Sequence, residues 1–136
     1  MKLLLIYCSK FGYTPTVKTL ANDSDPARSG DYENIQTAFI QVEDMDAEDE
    51  KAVENKLVKN LKWICGKNQT REIILHSFAH LSESKADPDF TKAFFDKVEE
   101  RMKNAGYTVH QTPFGYFHDL RIEAPGFSLA RVFKNI

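Results

Sequence analysis

The sequence predicts an α/β fold in which two helices pack on one mixed β-sheet. Two helix-period apolar stripes carry that prediction. Val53, Leu57, Leu61 and Ile64, with Val58 and Cys65 beside them, form the first; Phe90, Phe94, Val98 and Met102 form the second. Short apolar runs of strand character precede, separate and follow them. No internal repeat, low-complexity segment or linker divides the 136 residues, so residues 1–136 are expected to form a single domain around one core. The 42% hydrophobic and 28% charged composition fits a soluble globular chain. A net charge of −2 argues against gripping nucleic acid by bulk charge, and leaves room only for a local basic patch.

The expected element order is β-β-β-α-β-α-β-β with a C-terminal turn. Lys2 to Ser9 carries Leu3-Leu4-Leu5-Ile6-Tyr7-Cys8, a run suited to a strand buried on both faces. Beyond it, Pro15 can open a short helix with Val17, Leu20 and Ala21 on one side, and Asn22 to Gly30 reads as a loop. Glu33 to Glu43 alternates as a strand. Without a convincing crossover helix between these two strands, an antiparallel meander is expected. The acidic run Asp44 to Glu50 suits a solvated helix start, and Gly66 suits the end of that helix. Arg71 to Phe78 is a central strand; Asp87 and Pro88 mark the cap and first turn of the second helix, closed by Gly106. Tyr107 to Thr112 and Tyr116 to Ala124 are the last strands, before a short tail of helical character.

The chemistry gathers around Thr112 to Leu120. Pro113-Phe114-Gly115 makes a tight strand-to-strand corner, after which alternation puts Tyr116, His118, Leu120, Ile122 and Ala124 on one face. An earlier strand ends in His76-Ser77-Phe78-Ala79-His80-Leu81-Ser82. If the two ends meet, His76, His80 and His118 share one place. Their spacings are not those of a recognised zinc set, so no metal is expected. His76 is expected to be structural and His110 exposed. Lys97, Arg101 and Lys103 are candidates for phosphate contacts, with a solvated helix face the commoner role. Cys8 and Cys65 read as reduced, buried thiols, and Met1 to Ile6 is too short for a signal sequence or membrane span, which together point to the cytoplasm.

Three motifs in register carry a family resemblance: Phe78-Ala79-His80-Leu81-Ser82, Ala105-Gly106-Tyr107-Thr108-Val109, and Pro113-Phe114-Gly115-Tyr116. From Leu3 to about Leu129 the chain resembles the archaeal-type N-terminal editing domain of threonyl-tRNA synthetase. The resemblance implies a D-aminoacyl-tRNA deacylase-like fold, a homodimer, tRNA and a synthetase as partners, and hydrolysis of serine wrongly attached to threonine tRNA, without a cofactor. It implies His118 and His80 as catalytic residues, with Ser9, Phe78, Ala79, Ser82, Pro113, Phe114, Gly115, Tyr116 and Phe117 binding substrate. His118 falls where that family usually has a lysine, Phe117 where it often has a tyrosine, and Arg131 where a glutamate is typical. Tyr7-Cys8-Ser9-Lys10 replaces a His-Ser-Asp run. Two other readings stand beside this one. The first is a catalytically silent relative that binds tRNA or a synthetase; the second is a flavodoxin-like electron carrier, because Ser9-Lys10-Phe11-Gly12-Tyr13-Thr14 resembles the FMN phosphate loop of that family.

Overall fold

The computed structural model describes residues 1–21 and 24–136. Asn22 and Asp23, at the start of the loop expected over 22–30, lie outside the described residues. Six strands and two long helices run in the order β1 (Lys2–Lys18), β2 (Gly30–Gln41), α1 (Glu50–Lys67), β3 (Glu72–Ser77), α2 (Pro88–Asn104), β4 (Thr108–Gln111), β5 (Tyr116–Glu123) and β6 (Arg131–Asn135). The sheet order is β4-β3-β2-β1-β5, with β6 also paired to β1. β3 pairs parallel to both β2 and β4, and every pairing of β1 is antiparallel. The sheet is therefore mixed, as its two helical crossovers require.

Three expectations change. Two strands precede the first helix, because β1 continues unbroken through Ser9–Thr14 to Lys18 and absorbs both the expected phosphate loop and the short helix from Pro15. Its pairing with β2 ends at Tyr13 and Gly30, so Pro15 lies past the point where a β2 acceptor would need its missing N–H. The register with β5 shifts between Pro15 and Lys18. The C-terminal tail is helical only in a 3-10 turn over Ser128–Ala130 and then continues as strand β6, with Leu4 opposite Phe133 and Leu5 opposite Val132. The acidic run is not simply solvated either. It opens as a 3-10 turn over Asp44–Asp49 in which Asp46 is buried, and the Met1 ammonium reaches Glu43 Oε1 at 2.7 Å and Asp46 Oδ1 at 3.2 Å.

Period-two alternation sorts each strand between two cores. Leu3, Leu5, Ala38, Ile40, Ile73 and Leu75 face the helices, where Leu57, Leu61, Ile64, Phe94, Val98 and Met102 cover them. Cys8, Phe11, Tyr13, Ile35, Phe39 and Ile74 form a second cluster, joined by Phe78 and Leu120. Because Ile73 and Leu75 point to the helices, His76 joins Ile74 on the opposite side. That parity carries the histidine to the site.

Candidate functional site

A cavity of about 400 Å³ opens where the ends of β3 and β1, the β4–β5 corner and the start of α2 converge. That volume lies within the range of small-molecule sites. His76, Phe78, Ala79, His80, Thr112, Pro113, Phe114, Gly115, Tyr116, Phe117 and His118 line it, together with Thr19, Leu20, Gln41, Lys85 and Thr91. His80 and His118 thus face one space. Ser9 and Ser82 do not line it: Ser9 Oγ donates to the Glu123 carbonyl at 3.1 Å, and Ser82 Oγ donates to Glu43 Oε2 at 2.6 Å.

At the floor, the imidazole of His76 is buried, with Nδ1 2.8 Å from Thr112 Oγ1. Burial, followed by the neighbouring His118 and His80, pushes its pKa down to about 3, so it is neutral at ordinary pH. The His118 ring sits 5.6 Å from that of His76 and 5.6 Å from that of Tyr13, edge to face with both. His118 Nε2 lies 2.9 Å from the Pro113 carbonyl. A carbonyl only accepts, so Nε2 carries the hydrogen and Nδ1 holds the lone pair. Nδ1 is buried and, among the described residues, without a hydrogen-bond partner. Desolvation lowers the His118 pKa despite the opposing pull of the Pro113 carbonyl, which keeps that lone pair free near neutrality. His80 is exposed at the mouth, its ring 4.9 Å from Phe78 and 6.4 Å from the 56%-exposed Phe117.

Backbone geometry fixes the walls. Gly115 has φ +93°, and a Cβ there would come within 2.9 Å of Ser24 Cβ, so the corner needs glycine on both counts. The opposite wall, the loop after β3, is held by one buried side chain. Gln41 Oε1 accepts from the Leu81 and Ser82 amides at 2.6 and 2.7 Å, while Nε2 donates to the Ser82 and Ser84 carbonyls at 2.8 Å each. Glu43 extends that anchor. Burial alone would raise its pKa, but hydrogen bonds from the Met1 ammonium, Ser82 and Lys2 win and hold it at about 2.

Several expected site features lie elsewhere. Arg131 donates to the Ala124 and Pro125 carbonyls, and neither it nor Tyr7-Cys8-Ser9-Lys10 lines the cavity. Lys97, Arg101 and Lys103 are engaged by Glu50, Glu54 and Glu99, so the α2 cations are already neutralised. His110 is not freely exposed: its Nε2 lies 2.9 Å from Glu72 Oε2 and its ring 4.7 Å from Tyr32. Among the described residues no group of three or more His, Cys, Asp or Glu side chains is arranged to hold a metal ion. Gln41 was detectable as the one amide inside Phe39-Ile40-Gln41-Val42, and Thr112 as the neighbour of the corner proline. Tyr13 gave no signal, lying in a stretch of loop composition past the expected end of the first strand.

A mixed sheet with both long helices on one face is the D-aminoacyl-tRNA deacylase-like fold. The solved structure of the c-Myc DNA Unwinding Element Binding Protein has the same fold, with a TM-score of 0.73 at 11% identity, covering 100% of this chain and 99% of that one. Residues 1–136 match the family described as the archaea-specific editing domain of threonyl-tRNA synthetase, and the chain belongs to that family. Similar relatives are threonine–tRNA ligases of Thermococcus gammatolerans (32% identical), Thermofilum pendens (32%) and Thermococcus kodakarensis (31%). All of this chain aligns with them, and it spans about a fifth (22%) of their length.

The Gln41 clamp yields a direct test. Gln41→Leu leaves four part-buried main-chain groups without their partner, each costing about 1 to 3 kcal/mol if it stays unpaired and dry. Partial relaxation into water should leave a net loss of roughly 2 to 4 kcal/mol in urea unfolding. Hydrogen exchange at the Leu81 and Ser82 amides should accelerate more than exchange in β3.

Proposed function

We propose that this domain proofreads tRNA by hydrolysing an aminoacyl ester at the terminal adenosine, with seryl-tRNA(Thr) as its main substrate. One observation carries the reading: a neutral imidazole, fixed by the Pro113 carbonyl through Nε2 and with a buried Nδ1 that has no partner among the described residues, belongs to a side chain lining a cavity that also holds His80. Editing answers a physical limit. A pocket built for threonine rejects serine by only about 1 to 3 kcal/mol, the value of one methylene group, so a second site must remove the error.

In the reaction, the cavity wall opens enough to expose the buried His118 Nδ1, and water attacks the ester carbonyl carbon as Nδ1 takes its proton, giving a tetrahedral intermediate and an imidazolium. Collapse breaks the bond to the ribose oxygen, which leaves with the proton from Nδ1. The Ala79 and His80 amides, which donate to no other group among the described residues, are the donors available for the developing oxyanion. His80 beside Phe117 frames the mouth for the terminal nucleotide. Histidine in place of the lysine usual in the family suits the base role, because a lysine ammonium has no lone pair to offer at neutral pH.

The RNA partner is supported by a local charge pattern. Lys56, Lys59 and Lys67 fall within an arc of about 80° on the outer face of α1, with Trp63 between them. Lys134 covers the Trp63 ring at 4.9 Å. None of these four lysines is ion-paired among the described residues, in contrast to the cations of α2. A homodimer is supported by the helix-free face of the sheet, where Phe133, opposite Leu4, is 55% exposed. The domain acts in the cytoplasm, attached to or alongside a synthetase; among the described residues no helix is long and apolar enough to cross a membrane.

His118→Ala is expected to lower turnover of seryl-tRNA(Thr) by roughly 10² to 10⁴-fold with little loss of folding stability. In the parent, kcat/KM should hold steady above pH 6.5 and fall with unit slope below a pKa that lies under that ordinary value. Equal hydrolysis by variant and parent would transfer support to the silent, tRNA-binding reading. Replacing Lys56, Lys59 and Lys67 together with Gln should weaken tRNA binding and flatten the log–log salt slope by roughly 2 to 3. Sedimentation should give a dimer that Phe133→Asp shifts toward monomer.

A further inference from the structure

The peptide group between Pro113 and Phe114 is held from both sides. Its carbonyl accepts from His118 Nε2 at 2.9 Å, and its N–H donates to Asp25 Oδ2 at 3.0 Å. C=O and N–H of one trans peptide point in opposite directions, so the carboxylate and the imidazole lie at the two ends of a single planar dipole. Asp25 has further anchors on the same corner: its N–H donates to the Phe114 carbonyl at 3.0 Å, and its carbonyl accepts from Tyr116 OH at 2.8 Å. Lys92 of α2 fixes the carboxylate at 3.3 Å and is itself braced by Asp96 at 3.1 Å.

We propose that Asp25 is a positioning residue that sets the tautomer of His118 through the Pro113–Phe114 peptide group. A negative charge on the peptide N–H polarises the amide, and the Pro113 carbonyl becomes a stronger acceptor for Nε2–H. The hydrogen is thereby held on Nε2 and the lone pair on Nδ1, which is the state a base needs. The arrangement does through a main-chain amide what a carboxylate does by direct contact with a catalytic histidine. Asp25 touches neither substrate nor reacting atoms. It lies in the segment that follows β1, remote in sequence from the histidine whose proton it places.

The inference rests on the base role given to His118, yet its first test does not depend on hydrolysis. In the parent, nitrogen-15 NMR of the His118 ring should show the Nε2–H tautomer. Asp25→Ala should shift the ring toward a mixture with Nδ1–H and lower the pH at which it titrates, since a nearby negative charge is lost. Asp25→Asn can still accept from the Phe114 N–H without the charge, so it should move both readings in the same direction by less. Asp96→Asn, which removes a neighbouring carboxylate of Lys92 but no contact to the corner, should move neither. On seryl-tRNA(Thr), Asp25→Ala should lower kcat roughly ten- to a hundredfold with KM little changed. If Asp25→Ala fails to fold, Asp25→Asn decides by the same spectrum. A His118 ring with parental tautomer and titration in a folded Asp25 variant overturns the proposal. Absence of hydrolysis by the parent would instead defeat the base role, while the spectra still decide whether Asp25 controls the ring.

Discussion

The architecture depends on backbone pairing along a single 17-residue strand. One edge of β1 is taken by β2, while the other is divided between β6 near its start and β5 near its end. Because one strand serves both halves, the register that seats Leu3 and Leu5 under the helices also sets where β5 lies. β5 carries His118, and the cavity inherits its position from this ladder. A one-residue slip would turn the alternating side chains of the slipped strand over together.

Polar burial then makes the site specific. Apolar clusters form on both faces of the sheet, but the loop after β3 and the corner after β4 are oriented by polar contacts. Gln41 ties down the first with four hydrogen bonds, and Asp25 ties down the second. Such groups cost desolvation unless fully paired, and when paired they fix one arrangement of the backbone. The cavity is the space that remains between two loops so restrained.

Much of this was legible in the sequence, for identifiable reasons. The helices declared themselves through Leu57, Leu61, Phe94 and Val98, and the parity of β5 followed from Tyr116, His118 and Leu120. The corner was marked by Pro113 and Gly115, whose backbone requirements are local. Misreadings arose where a distant partner decides the outcome. Ser9 to Thr14 has loop composition, yet it is strand because β2 and β5 flank it. The tail became β6 only because the first half of β1 had a free edge. Asp46 looked solvated, and its partner is an ammonium 45 residues away. Gln41 and Asp25 act on main-chain groups, which leave no trace in side-chain pattern. Arg131 and the Tyr7–Lys10 run, singled out in the sequence, do not line the cavity.

The two cysteines have a chemical consequence of their own. Desolvation drives Cys8 up to about 11, against a weaker opposing bond with Thr37, and Cys65 up to about 12. Peroxide attacks the sulfur anion, and at such values almost none is present at neutral pH. Both cysteines are fully buried, and neither lines the cavity. Oxidants that act through thiolates would find no handle on this domain, so its two sulfurs should survive oxidative stress unmodified.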